Sequence, residues 1–133
     1  MASIRREIVL DAPVAAVWDA LRDVGAIHTR LAPGFVVASE LEPGGAARIV
    51  TFRNGTTARE LIVDVDDNTR RLAWSVVGGR MTHHNASAQV FDDNGATRFV
   101  WIADLLPHEL APAIAGMIDE GLAAIGAKFG RRG

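Results

Sequence analysis

"GGAARIVTFRNGTTAREL", Gly44 to Leu61, is two apolar and β-branched runs on either side of Asn54-Gly55. Asn-Gly is the strongest short hairpin signal, because both residues tolerate a positive φ. The flanks therefore predict two neighbouring antiparallel strands. Each carries a charge inside its run, Arg48 in the first and Glu60 in the second. A three-residue loop centred on Asn54 places the two opposite each other on one face. A two-residue loop places them on opposite faces, because strand side chains alternate. They are either an exposed cross-strand pair, worth well under ~1 kcal/mol, or polar groups in a dry pocket, where buried charge marks a site.

The same punctuation continues outward. Pro43-Gly44-Gly45, Asp66-Asp67-Asn68, Gly78-Gly79 and Asp92 to Gly95 separate "FVVASEL", "AARIVTF", "TTARELIVDV", "RRLAWSVV", "MTHHNASAQVF" and "ATRFVWIADLL". That spacing predicts six strands in an antiparallel meander. Upstream, "SIRREIVL" (3–10) reads as a strand, with Ile4, Ile8 and Leu10 on one parity and Arg6 interrupting them. Asp11 suits a helix cap and Pro13 a first turn. Val14, Val17, Trp18 and Leu21 then repeat at helical spacing, and Gly25 suits the end of that helix. A short second helix is expected over Ala26 to Leu31, stopped by Pro33. Downstream, Pro107 opens a helix to Phe129 with a stripe of Leu110, Ile114, Met117, Ile118, Ile125 and Phe129. Its interior glycines, Gly116, Gly121 and Gly126, each cost up to ~1 kcal/mol against alanine. Close backbone approach to a sheet, or room for a ligand, would offset that cost. The order is β-α-α-β6-α, an α+β chain expected to form one domain over residues 1–133.

The chain has 133 residues, a formal net charge of -2 and a pI near 6.0. It has no basic field for nucleic acid or an anionic membrane. Without cysteine, disulfides and thiolate chemistry are excluded. The stretch "MASIRREIVLDAP" has no apolar segment fit for a signal peptide, and no run is read as approaching the ~20 apolar residues of a membrane span. The expectation is a soluble cytoplasmic protein, monomer or homodimer, without membrane insertion. No P-loop, dinucleotide fingerprint or Gly-x-Ser-x-Gly is present. No cofactor is expected.

The motifs, taken in order, resemble those of the helix-grip superfamily, the START/Bet v 1-like (SRPBCC) group, and especially its polyketide cyclase/dehydrase-like branch. "IVLDAPVAAVWDAL" is similar to the family's first strand and Ala-Pro-x-x-x-Val-Trp helix. Gly45-x-x-Arg48, Gly55, Glu60-Leu61 and Asp66 follow its Gly-x-x-Arg…Gly…Glu…Asp pattern, and Gly95-x-Thr97-x-x-x-Trp101 its last hairpin. The resemblance implies a seven-stranded curved antiparallel sheet wrapped around a long C-terminal helix, with a cavity between them. Plant abscisic-acid receptors share this plan. Gly78-Gly79-Arg80 resembles their latch loop, and Arg53-Asn54-Gly55-Thr56 stands at their gate. The gate here is shorter and lacks Ser-Gly-Leu-Pro, and the latch lacks His-Arg-Leu, which argues against a hormone receptor of that kind.

Each candidate residue has a plain and a functional reading. Arg48 and Glu60 are a surface pair, or they orient a ligand's carbonyl or carboxylate; the resemblance favours an inward Glu60. His83 and His84 are consecutive in a strand, so only one faces inward. If Asp92 to Gly95 form a four-residue loop, His84 joins Ala86, Ala88 and Val90 on the apolar face. There it is either a core histidine or an acid–base group. The pair makes no metal site, because adjacent strand residues diverge. His28 reads as exposed on the short helix, Trp18 as plain core, Arg6 as reaching water at the sheet edge, and Asp104 as exposed. Trp74, Phe99 and Trp101 share the apolar parity and, with Ile114, Met117 and Ile118 of the last helix, form the expected wall of a ligand cavity. Three functions compete. The first is a carrier of a small hydrophobic molecule. The second is an acid–base cyclase, dehydratase or isomerase using Glu60, His84 and Arg48. The third is a protein-interaction or co-chaperone-type module.

Overall fold

The computed structural model describes residues 2–132. Seven strands among them, β1 (Ala2–Leu10), β2 (Val36–Leu41), β3 (Ala47–Phe52), β4 (Thr57–Asp66), β5 (Arg71–Val77), β6 (His83–Asp93) and β7 (Ala96–Leu106), form one sheet in the order β1-β7-β6-β5-β4-β3-β2. Every neighbouring pair is antiparallel. Helix α1 (Val14–Arg22) and helix α2 (Ala111–Phe129) complete the frame. The sheet curves around α2, the helix-grip α+β arrangement expected from the sequence.

Turn chemistry sets the registers. Thr51 pairs with Thr57, so Arg53-Asn54-Gly55 is a three-residue loop and Arg48 lies directly opposite Glu60. Gly55 takes φ +88°, and Asn54 Oδ1 accepts the Thr56 amide at 3.0 Å. The β6–β7 loop is shorter than expected. Asp93 pairs with Ala96, leaving Asn94 and Gly95 at φ 53° and 90°, the geometry of a two-residue type I′ turn. Two residues fewer in the loop move the register but not the faces, so His84, Ala86, Ala88 and Val90 still point inward. In β4 a bulge between Ile62 and Asp64 turns Val63 outward, 63% exposed, and returns Val65 to the core side.

Three local expectations are corrected. Asp11 does not cap α1, which has no side-chain cap; its carboxylate accepts from Arg132 Nε at 3.0 Å. Gly25 does not end α1, which stops at Arg22. Its missing Cβ instead makes room for Leu41, whose Cδ1 would lie 2.9 Å from it. The second helix is a five-residue π-helical turn, Ile27–Leu31, closed by Ala32 N–H donating to Ile27 O at 2.9 Å.

Helix α2 buries Ile114, Ile118, Leu122 and Ile125; Leu122 lay outside the predicted stripe. By length and composition alone, His108–Phe129 could cross a membrane, with a mean hydropathy of 1.3, contrary to the expectation that no run approaches a span. Here it is the element that the sheet grips. Arg6 of β1 reaches Asp119 of α2 at 3.2 Å with its head exposed. The chain after α2 returns to the sheet edge. Asp11 N–H donates to Gly130 O at 2.6 Å, Ala12 N–H to Phe129 O at 3.2 Å, and Arg132 N–H to Val9 O at 2.8 Å.

The α2 glycines separate by environment. A Cβ on Gly121 would lie 2.8 Å from the Trp101 indole and 3.1 Å from Phe35, whereas one on Gly116 meets nothing within 4 Å. The indole cannot step aside freely, because Trp74 packs edge-on to it at 5.9 Å. Gly121→Ala is expected to destabilise by about 1–3 kcal/mol, and Gly116→Ala to stabilise by up to about 1 kcal/mol. Urea midpoints of the two variants check the opposite signs.

Candidate functional site

Between α2 and the concave sheet lies a cavity of about 630 Å³. The alternation of each strand decides what lines it. β5 contributes Leu72, Trp74 and Val76, β6 contributes His84 and Ala88, and β7 contributes Phe99 and Trp101. Ile114, Met117 and Ile118 face it from α2. Arg48 and Glu60 stand in the same wall, so all nine sequence-predicted site residues meet at one cavity. Its mouth is framed by Asn54 and Thr56 of the β3–β4 hairpin and by Gly78, Gly79 and Arg80 of the β5–β6 loop.

Among the described residues, Arg48 and Glu60 are the two buried charged residues, 2% and 7% exposed. Arg48 Nε donates to Glu60 Oε1 at 2.8 Å and Nη1 to Val24 O at 3.1 Å. The guanidinium carbon lies 5.7 Å from the centre of the Trp74 ring. Each feature answers the cost of removing charge from water, which several kcal/mol per ion would otherwise oppose. The three-residue turn is the local cause. It brings the two charges into direct register, and they share the cavity face of Val50 on β3 and of Val76, which lies opposite Glu60 on β5.

His84 is half-buried, and its Nδ1 is sequestered with no hydrogen-bond partner among the described residues. Burial lowers its pKa below the ordinary 6.5, and the adjacent His83 lowers it further. The imidazole is therefore neutral at neutral pH. His83 is exposed. His28 is half-buried rather than exposed, with an unpartnered Nδ1 of its own, away from the cavity wall. Trp18 is more than core filling, since its indole N–H donates to Asp67 at 2.9 Å. Asp104 is half-buried and accepts from Ser3 Oγ. Among the described residues no group of three or more His, Cys, Asp or Glu is placed to hold a metal ion.

The sequence reasoning missed the wall opposite the tryptophans. Val50 and Phe52 share the inward parity of Arg48, and Phe52 packs on Phe35 with ring centres 5.3 Å apart. The alternation along "ARIVTF" carried that signal once Arg48 was taken to face inward.

Two outcomes follow from this geometry. Arg48→Ala strands a buried carboxylate and is expected to cost about 3–5 kcal/mol, whereas Arg48→Met combined with Glu60→Leu recovers most of that loss; urea denaturation of single and double variants measures both. His84 gives a pH signature. The unfolded chain takes up a proton near pH 6.5, while folded His84 resists it to lower pH. Wild type should therefore lose stability relative to His84→Gln as pH falls from about 7 to about 5. Thermal melts across that window test the sign.

Among curated proteins none matches this sequence. Solved structures do. A protein of Thermobifida fusca is 29% identical, with a TM-score of 0.77 over 96% of this chain and 95% of its own. The XoxI protein of Bacillus cereus superposes with a TM-score of 0.87 at 20% identity, covering 97% of this chain and 96% of that one. The di-domain ARO/CYC BexL is 16% identical with a TM-score of 0.77, matched over 97% of this chain and 45% of its own. The family described as polyketide cyclase/dehydrase and lipid transport matches residues 1–130. With sheet, gripped helix and family motifs in agreement, the chain belongs to that polyketide cyclase/dehydrase and lipid transport family.

Proposed function

We propose that this protein binds a small, mainly hydrophobic molecule in the cavity between α2 and the sheet, with the polar end of the ligand at Arg48 and Glu60. The carrying observation is the cavity itself: about 630 Å³ walled by tryptophan, phenylalanine and aliphatic side chains, with one buried ion pair set into it. Apolar walls supply affinity by removing ligand surface from water, and a few fixed polar groups supply orientation. Family membership supports the same reading.

A second reading rests on His84. A neutral imidazole in the cavity wall can take a proton from carbon beside a carbonyl, with Arg48 stabilising the enolate and Glu60 as the alternative base. The ARO/CYC protein with the same fold supports this chemistry by likeness of fold alone. A co-chaperone-type role gains no support from an inward-facing site of this kind.

Native mass spectrometry of the purified protein, searching for a co-purified small molecule, tests occupancy. A blocking variant tests location. Met117→Trp places an indole where the half-buried Met117 lines the cavity. It should weaken binding of the neutral probe N-phenyl-1-naphthylamine by about tenfold or more, with the far-ultraviolet circular dichroism unchanged. Probe binding untouched by that substitution would place it elsewhere. His84→Ala divides carrier from enzyme: loss of turnover with binding kept indicates catalysis.

A further inference from the structure

The buried ion pair has a consequence for what the cavity accepts, given that the cavity is the binding site proposed above. Arg48 commits Nε to Glu60 Oε1 and Nη1 to Val24 O. Nη2 and Glu60 Oε2 have no hydrogen-bond partner among the described residues, and both side chains line the cavity; they are the donor and acceptor left for an occupant. The guanidinium charge is already balanced by a carboxylate 2.8 Å away. A second carboxylate, brought by a ligand, would meet Glu60 as a like charge and leave the wall with one unbalanced negative charge in apolar surroundings, a costly arrangement. A hydroxyl can accept from Nη2 and donate to Oε2 and adds no charge.

We infer that the site selects neutral hydroxyl-bearing ligands, of the phenol, enol or alcohol type, and rejects carboxylates of the same shape. The other charged or titratable groups around the cavity do not reverse this. Arg59 is bound to Glu42 through Nε at 2.7 Å and Nη2 at 2.9 Å. Arg80 is exposed at the mouth, where water screens it. His84 is held neutral by its burial. Glu60 is thus a specificity determinant: it turns a cationic site, open to any anion, into one that requires a donor hydrogen on the ligand.

The test is a matched series, 2-naphthol, 2-naphthoate and naphthalene, titrated against the intact protein at pH 7.5. Quenching of tryptophan emission is the readout, since Trp74 and Trp101 stand in the cavity wall, and the shift in melting temperature is the second. 2-Naphthol should bind at least about tenfold more tightly than either companion. Glu60→Gln should invert the order, with 2-naphthoate gaining about tenfold or more on the freed guanidinium. Should that variant not fold, the wild-type series still decides. Naphthoate binding as tightly as naphthol overturns the inference while leaving the cavity a ligand site. Naphthalene binding as tightly as naphthol overturns it equally, because the polar pair then reads nothing. Failure of all three to bind would instead remove the proposed function on which the inference rests.

Discussion

A guanidinium cannot be left alone away from water. Once Arg48 is placed on the concave side of the sheet, a counter-charge must meet it there, and the hairpin supplies Glu60 in direct register. The pair needs the three-residue turn at Asn54, the Val24 carbonyl after α1, and the Trp74 ring on β5. Turn, loop and three strands are thereby tied to one ion pair. Buried ion pairs seldom add net stability compared with a hydrophobic replacement, so what this one supplies is register and polarity at a chosen point in the wall.

The cavity depends on a second constraint, the composition of α2. A helix with bulky residues all along its inner face would fill the grip of the sheet. Here Gly121 leaves room for the Trp101 indole of β7 to pack directly against the helix. Nearer the N-terminal end Ile114, Met117 and Ile118 leave volume between themselves and the tryptophans. Close packing at one place and open space at another come from the same short stretch of chain. The π-helical turn at Ile27–Leu31 closes the remaining side with Ile27 and Leu31.

Much of this was legible in the residues. Strand alternation, Asn-Gly and Asp-rich turns and the apolar stripe of the last helix gave the element order, and parity placed Trp74, His84, Phe99 and Trp101 on one face. What the pattern could not decide was the loop length at Asn54, since a change of one residue there flips every side chain of the following strand. The β6–β7 loop is two residues shorter than its Asp-rich stretch suggests, and a shift of two preserves the face. Asp11, Gly25 and His28 went astray for another reason. Their partners, Arg132, Leu41 and the packing around the π-helical turn, lie far off in sequence or in an irregular element. Local rules for caps and short helices do not see such neighbours.

The return of the chain after α2 to the sheet edge has a mechanical consequence. The amides of Asp11, Ala12 and Arg132 fasten the C-terminal end of the helix to the end of β1 and the start of the next segment. At the other end α2 follows only a short 3-10 turn, His108–Leu110, after β7. That turn packs against β7, so the helix is held at both ends, by backbone hydrogen bonds near Ile125 and by the covalent run from β7 near Ile114. Because β1 and β7 are themselves paired, helix, turn and the two strands form a closed frame, like a beam resting on two supports.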